Sequence, residues 1–459
     1  MKILLATDTF YPMINGVVTS TTTLYKELIA LGQDVRILTL SEDGNERFEN
    51  NIYYLKSIKI NIYPDARLSL RSNSELINQI EIWKPDIIHT QTEFSIMMIA
   101  RKISNKIGIP LIHTYHTMYE DYTNFLIKSK RINKKLVSQI IKQMLGRFSA
   151  VIAPTDKTAK TLIEYNITAP IYTIPTGLEL SKFSKMVEEE EYINNKKKYN
   201  LINHKTLVYL GRVSEEKNIE ELISYINNNK EYFNDKNFLI VGGGPNLKKL
   251  IALVDKYEIN SIVKFTGMVE PDEVYKYYKL GDIFITASTT ETQGLTYIEA
   301  MASGLPVVCR KDESVEELIL NYDNGFKYEN EEEFFKTIKN IFEDNKLYEQ
   351  MCIKSLDKAK EYSSTIFGQS VLKVYQSTVD GYKYIESQDL EDDYNFISLL
   401  NEILPISDIK DNITSYLGDS KDKIVFRVKK LKDGSIEVNQ SLKNRITRVS
   451  KKIKIRKRN

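Results

Sequence analysis

The chain has 459 residues, too many for one hydrophobic core and enough for two domains with an extension. It is 42% hydrophobic and 27% charged, an ordinary globular composition, and its net charge of +2 singles out no class of partner. Its two cysteines, Cys309 and Cys352, exclude a disulfide framework and suit a reducing cytosol, and no Cys/His cluster has metal spacing.

The N-terminal MKILLATDTF has an apolar run too short for a secretory signal. No run of about 18 apolar residues occurs, so no transmembrane helix is expected and any membrane would be met from the surface. Short β-branched runs at 2–6, 35–40, 86–89, 110–114, 150–153 and 171–174 read as strands, separated by amphipathic helical patterns such as 17–31. This alternation predicts βαβ units and a parallel sheet. An acidic block followed by a basic one at 186–200 reads as a solvated connection or exposed helix. A second alternating series follows, with strands at 206–210, 238–241, 262–266, 283–286 and 306–309, and then one long helical stretch from about Asp357 through Tyr384. The fold class expected is α/β, with two facing Rossmann-like doubly wound domains and a ligand cleft between them at the carboxyl ends of their strands.

TTETQGLTYIEAMASGLPVVCR at 289–310 carries the strongest chemical signal. A strand ends in a polar turn bearing Glu291, Gly294 permits close backbone approach, and a helix starting near Leu295 carries Glu299 in its second turn. Such a helix start offers free N–H groups and a positive dipole end to a diphosphate, and a carboxylate one turn inward can accept from a ribose diol. An isolated pair of glutamates reads as ordinary surface charge; the strand–turn–helix setting favours a ligand site. GRVSEEKN at 211–218 directly follows a strand, which places Arg212 and Lys217 where a departing nucleoside diphosphate gathers negative charge. A plain surface turn explains the same residues equally well. Asn15-Gly16 resembles a phosphate-facing loop without the full dinucleotide pattern, and VGGGPN at 241–246 reads as a structural turn. IHTYHTMYEDY at 112–122 places His113 and His116 among Tyr115, Tyr119 and Tyr122. No third ligand completes a metal site there; contact with sugar hydroxyls fits better, with His116 the functional member and His113 a hydrogen-bonded structural one.

Together, Glu291-x7-Glu299 with EAMASGLPVV, GRVSEEKN, PTGLEL at 175–180 and NGV at 15–17 resemble the retaining family 4 glycosyltransferases of the GT-B fold, over residues 1 to about 380. The resemblance implies no divalent metal and no permanently bound cofactor. It implies that Glu299 binds the donor ribose and Glu291 contacts the donor sugar. Arg212 and Lys217 would neutralise the diphosphate, with backbone N–H groups of Gly16, Gly294 and Leu295 adding to them. His116 would stand beside the donor sugar and the attacking hydroxyl.

DIIHTQTEF at 86–94 and HTYHTMYEDY look like the bacterial enzymes that glucosylate 1,2-diacylglycerol, which implies UDP-glucose as donor and a lipid acceptor. Residues 124–150, with seven Lys/Arg and no acid, and the tail 443–458 are expected to dock on the anionic inner face of the cell membrane. No nucleic-acid partner is expected, because the basic tail lacks interleaved aromatics. The implied organisation is an acceptor-side domain 1–180, a donor domain 181–365, a helical segment 366–385 packing back on the first domain, and an extension 386–459 that departs from the family pattern. Competing readings keep the fold with phosphatidylinositol or a polysaccharide precursor as acceptor, or make the protein a sugar-nucleotide epimerase.

Overall fold

Aliphatic runs without polar alternation build strands that need cover on both faces. In a computed structural model, which describes residues 1–13, 15–59, 67–69, 74–117, 134–201, 204–383, 428–430 and 436–438, such strands form two parallel sheets. The first series is Lys2–Ala6 (β1), Asp34–Leu40 (β2), Arg47–Glu49 (β3), Ile52–Leu55 (β4), the small pair Ile58–Lys59 (β5) and Arg67–Leu68 (β6), Ile87–Thr90 (β7), Leu111–Thr114 (β8), Ala150–Ala153 (β9) and Ile171–Thr173 (β10). The sheet order is β10-β9-β8-β7-β1-β2-β4-β3, parallel except where β3 folds back antiparallel on β4.

Alternate residues of these strands enter two cores. Leu4, Ala6, Leu38, Ile88, Leu111 and Val151 face one side, covered by Glu75–Trp83 (α1), Ser95–Ile107 (α2) and Lys134–Leu145 (α3). Ile3, Leu5, Val35, Ile37, Ile112 and Ile152 face the other, packed with Leu24 and Leu28 of the helix Gly16–Ala30 and with Phe367, Val371, Val374 and Tyr375 of the distant helix Ser364–Gly381.

The second sheet comprises Lys205–Leu210 (β11), Lys236–Val241 (β12), Val263–Gly267 (β13), Ile283–Thr286 (β14), Val307–Arg310 (β15) and Gly325–Tyr328 (β16), in the order β13-β12-β11-β14-β15-β16. It too separates two cores, one around Leu207, Ile240, Ile285 and Phe334 and one around Val208, Phe284, Tyr297 and Ile298. Residues 406–459 form a separate unit, in which the strands Val428–Lys430 and Ile436–Val438 pair antiparallel.

The chain passes between the sheets twice, and the two passages touch. Leu178 N–H donates to Tyr362 O at 2.9 Å, and Ser364 N–H donates to Leu178 O at 2.8 Å. Gly177 lies against this seam; a Cβ there would stand 2.6 Å from both Phe367 Cβ and Ser363 O, closer than any side chain tolerates.

The long helix expected from Asp357 to Tyr384 is corrected here. It is two helices, Asn345–Lys360 and Ser364–Gly381, broken where Ser363 caps the second by accepting from Ile366 N–H. Strands β3, β4, β5, β6 and β16 were not anticipated: they are short, and tyrosine or charged residues interrupt any aliphatic run. The exposed helix foreseen at 186–200 is Glu189–Lys198, which buries no residue. Of the basic segment 124–150, residues 124–133 lie outside the described residues, as do Tyr119, Tyr122 and the tail 443–458. In the described part, Val137, Ile140, Ile141, Met144 and Leu145 of α3 are buried in the first core, so its apolar face is turned to the protein's own sheet. Among the described residues no helix is long and apolar enough to cross a membrane.

Candidate active site

In an open parallel sheet, the strand order reverses at one place, and the loops leaving the strands there diverge to leave a crevice. The second sheet reverses between β11 and β14, and the loops leaving those strands carry Arg212, Lys217 and Glu291. Val213 N–H donates to Gly243 O at 2.9 Å, Asn246 N–H donates to Val213 O at 3.1 Å, and Tyr209 O–H donates to Arg212 O at 2.9 Å. The turn after β11 is thereby fixed while the Arg212 side chain stays exposed. Lys217, at the end of the 3₁₀ turn Glu215–Lys217, donates from Nζ to Glu291 Oε1 at 2.5 Å. The two side chains are only 20% and 13% exposed, so the pair is largely withdrawn from water and its geometry is held by charge as well as by hydrogen bonding.

The Glu291 loop is gripped from the first half of the chain. Gln293 Nε2 donates to Thr176 O and accepts from Thr176 N–H on Oε1, both at 2.8 Å, and Thr155 Oγ1 donates to Thr292 O at 3.0 Å. Gly294 then takes φ +75°, a left-handed conformation favouring glycine, with its Cα so close to Tyr297 that a Cβ would lie 2.7 Å from the ring. It opens the helix Leu295–Ala302, whose start no side chain caps. One turn in, Glu299 Oε2 accepts from Tyr278 O–H at 2.8 Å. Burial raises the Glu299 carboxyl above its usual range, and the tyrosine hydrogen bond opposes that rise.

The first sheet reverses between β1 and β7. After β1, Asn15 Oδ1 accepts from Val18 N–H at 3.0 Å and caps the helix that begins at Gly16. A Cβ on Gly16 would lie 3.7 Å from Leu295 Cδ1, so the starts of the two helices face one another between the sheets. Asp8 accepts from Ser95 Oγ at 2.6 Å, Ile96 N–H at 3.0 Å and Thr92 Oγ1 at 2.7 Å, and so caps α2 from across the crevice. Burial holds its carboxyl above the usual range despite these donors.

His113 is fully buried, with Thr90 Oγ1 2.8 Å from Nδ1 and Glu93 Oε1 3.2 Å from Nε2. His116 is half-buried at the rim, with Nε2 2.8 Å from Gln91 Oε1. Burial, and then the neighbouring His113, push the His116 imidazole down to about 3, so it stands neutral at physiological pH. Lys157 Nζ reaches both oxygens of Asp312 at 3.0 and 3.1 Å, a further tie between the two halves. Among the described residues no three His, Cys, Asp or Glu side chains gather as a metal site.

The structure thus brings Lys217, Glu291, Gly294 and Leu295 together with Gly16, places Glu299 one turn behind, and sets Arg212 at the exposed edge. It adds residues that sequence reasoning passed over: Tyr278 behind Glu299, Gln91 behind His116, and Gln293 clamping Thr176. The last two stand within quoted motifs, QTEF and ETQG. Tyr278 lies 21 residues from Glu299, in a segment with no motif to mark it.

Comparison with known proteins bears on the family and the fold. Residues 14–182 match the family described as Glycosyltransferase Family 4, and residues 191–355 match Glycosyl transferases group 1. The chain is 38% identical over 333 residues to an alpha-monoglucosyldiacylglycerol synthase of Streptococcus pneumoniae, covering 72% of this chain and 75% of that protein. It is 29% identical to a synthase of the same name from Acholeplasma laidlawii, covering 83% of this chain and 98% of that one. Among solved structures, Anabaena Alr3699/HepE, crystallised with UDP-glucose, superposes with a TM-score of 0.64 at 17% identity over 82% of this chain and 100% of that one, a likeness of fold. The chain belongs to family 4 of the glycosyltransferases and is a hexosyltransferase of the GT-B fold.

Proposed function

We propose that this protein transfers glucose from UDP-glucose to 1,2-diacylglycerol, with retention of anomeric configuration, at the cytoplasmic face of the cell membrane. The observation that carries the reading is the meeting, between two strand-order reversals, of the Lys217–Glu291 pair and two helix starts that face each other at Gly16 and Leu295. The synthase likeness supplies the acceptor.

In this reading residues 1–180 form the acceptor-side domain and 181–365 the donor domain, with 366–385 returning to the first. Glu299 accepts from the ribose hydroxyls, positioned by Tyr278. Glu291 contacts the transferred sugar and orients Lys217 toward the diphosphate. As the glycosidic bond to the β-phosphate breaks, charge grows on the leaving UDP; Lys217, Arg212 and the N–H groups at Gly16, Gly294 and Leu295 stabilise it without a metal. The acceptor hydroxyl attacks from the same face as the leaving phosphate, which takes its proton. Neutral His116 stands beside that hydroxyl as a hydrogen-bond partner. Because the apolar face of α3 is buried, docking on anionic lipid at this segment is electrostatic, about 1 kcal/mol for each basic residue near the surface, and sensitive to salt.

The test incubates the full chain with a panel of labelled sugar nucleotides and diacylglycerol vesicles, and identifies the product. Labelled monoglucosyldiacylglycerol from UDP-glucose is the expected result. Equal transfer to a soluble sugar or to phosphatidylinositol would overturn the acceptor, and conversion of the sugar nucleotide without any acceptor would make the protein an epimerase.

A further inference from the structure

The first sheet holds three histidines close together, and they differ in how their ring nitrogens are used. His89 has Tyr375 O–H 2.6 Å from Nδ1 and Thr114 Oγ1 2.7 Å from Nε2. His113 likewise has partners on both nitrogens, Thr90 and Glu93. These two rings are fixed by the protein alone. His116 is bound through Nε2 only, and among the described residues its Nδ1 has no hydrogen-bond partner.

The group on His116 Nε2 is Gln91 Oε1. Gln91 leaves the carboxyl end of β7 beside the reversal point, its backbone N–H donates to Ala6 O at 2.8 Å, and it is 1% exposed. The backbone at Gln91 is thus fixed and the residue is buried, and Nε2 of its carboxamide has no hydrogen-bond partner among the described residues. With the carboxamide placed so that Oε1 faces the ring, the ring nitrogen opposite it carries a proton, because that oxygen only accepts. A neutral imidazole has one N–H, and with that proton on Nε2 the lone pair is left on Nδ1.

We propose that Gln91 is a positioning residue that fixes His116 as the Nε2–H tautomer, so that Nδ1 accepts a hydrogen bond from a hydroxyl of the bound sugar or of the attacking acceptor. The proposal rests on the reading of His116 as the cleft histidine. It also accounts for the residue type. A glutamate at 91 would accept the same proton but would favour the imidazolium, whose Nδ1–H cannot accept. The carboxamide orients the ring without charging it. The other titratable groups grouped with this ring are His113 from β8, His89 from β7 and Glu93, which is bound to His113.

The test is nitrogen-15 NMR of the histidine rings in the full chain at pH 7.5, with His116 assigned by its loss in His116→Asn. A protonated Nε2 and a pyridine-like Nδ1 are expected. Gln91→Leu should leave a mixture of tautomers and lower kcat about tenfold or more, with KM for the sugar nucleotide changed less than about threefold. Gln91→Glu should keep the tautomer and move the acid limb of the pH–rate profile to higher pH. A wild-type ring protonated on Nδ1, or an unaltered tautomer in Gln91→Leu, overturns the assignment, and the wild-type spectrum decides alone if the leucine variant does not fold. Full turnover by His116→Ala beside the expected wild-type spectrum would overturn the role of His116 and the hydroxyl contact, while leaving the tautomer assignment intact.

Discussion

Lys217 and Glu291 lie 2.5 Å apart in a setting where neither is well hydrated. Removing the cation leaves a half-buried carboxylate beside the position of a second anion, so Lys217→Ala is expected to lower transfer by about 100-fold or more. Glu299→Ala should do the same by releasing the ribose. Both variants should keep the wild-type circular dichroism spectrum. Retained turnover in both would undo the site assignment. Tyr278→Phe makes a finer test. It removes one hydrogen bond from a carboxylate already raised by burial, so KM for the donor should rise several-fold while kcat changes little. The motifs made Glu291, Glu299, Arg212 and Lys217 legible because each sits at a fixed distance from a strand end. The residues that hold them were not legible. Tyr278 meets Glu299 through a side-chain contact between helices remote in sequence, and such a contact leaves no local period or motif.

At the scale of elements, the helix Ser364–Gly381 matters most. Phe367, Val371, Val374 and Tyr375 fill the second face of a sheet whose strands end at residue 173. Phe367→Ala should cost about 3 kcal/mol or more by opening that core, read as a lower midpoint in urea. Gly177→Ala should also destabilise, by about 2 kcal/mol or more, because the new methyl meets Phe367 and backbone at Ser363 that is pinned to Leu178. An unchanged urea midpoint in that variant would mean the seam can open without cost. Most strands of both sheets could be read from their aliphatic runs. Their ends moved by one or two residues, as where 86–89 became Ile87–Thr90 and 238–241 became Lys236–Val241. The break at residues 361–363 has a local mark in the Ser363 cap that the sequence reading passed over, and the hydrogen bonds to Leu178 that pin it there are tertiary.

At the scale of the whole molecule, protonation ties stability to pH. Burial holds His89 well below its ordinary value and His116 at about 3, against about 6.5 in an unfolded chain. Both rings stay neutral in the fold and gain charge on unfolding, so their contribution is complete above pH 6.5 and is lost progressively as pH falls below it. Asp8 and Glu299 are held above their usual values, bind protons first in the folded state, and oppose this trend in acid. Each depressed histidine removes up to about 1.4 kcal/mol per pH unit below 6.5. His89→Gln should therefore lose less stability than wild type between pH 7 and pH 5 in thermal melts. Equal losses would show that His89 takes up its proton in the fold.

The returning helix also sets an order of events in the cell. A chain leaving the ribosome presents its first 173 residues long before Phe367 and Tyr375 exist, so the newborn first half has one face of its sheet unsealed. The second half, with both its cores built between residues 178 and 359, can close first. Synthesis then runs from the amino end while completion runs backwards, and the nascent first half is the natural client for a chaperone. A truncated chain ending near residue 182 should aggregate, and a peptide of residues 364–381 supplied in trans should restore its solubility.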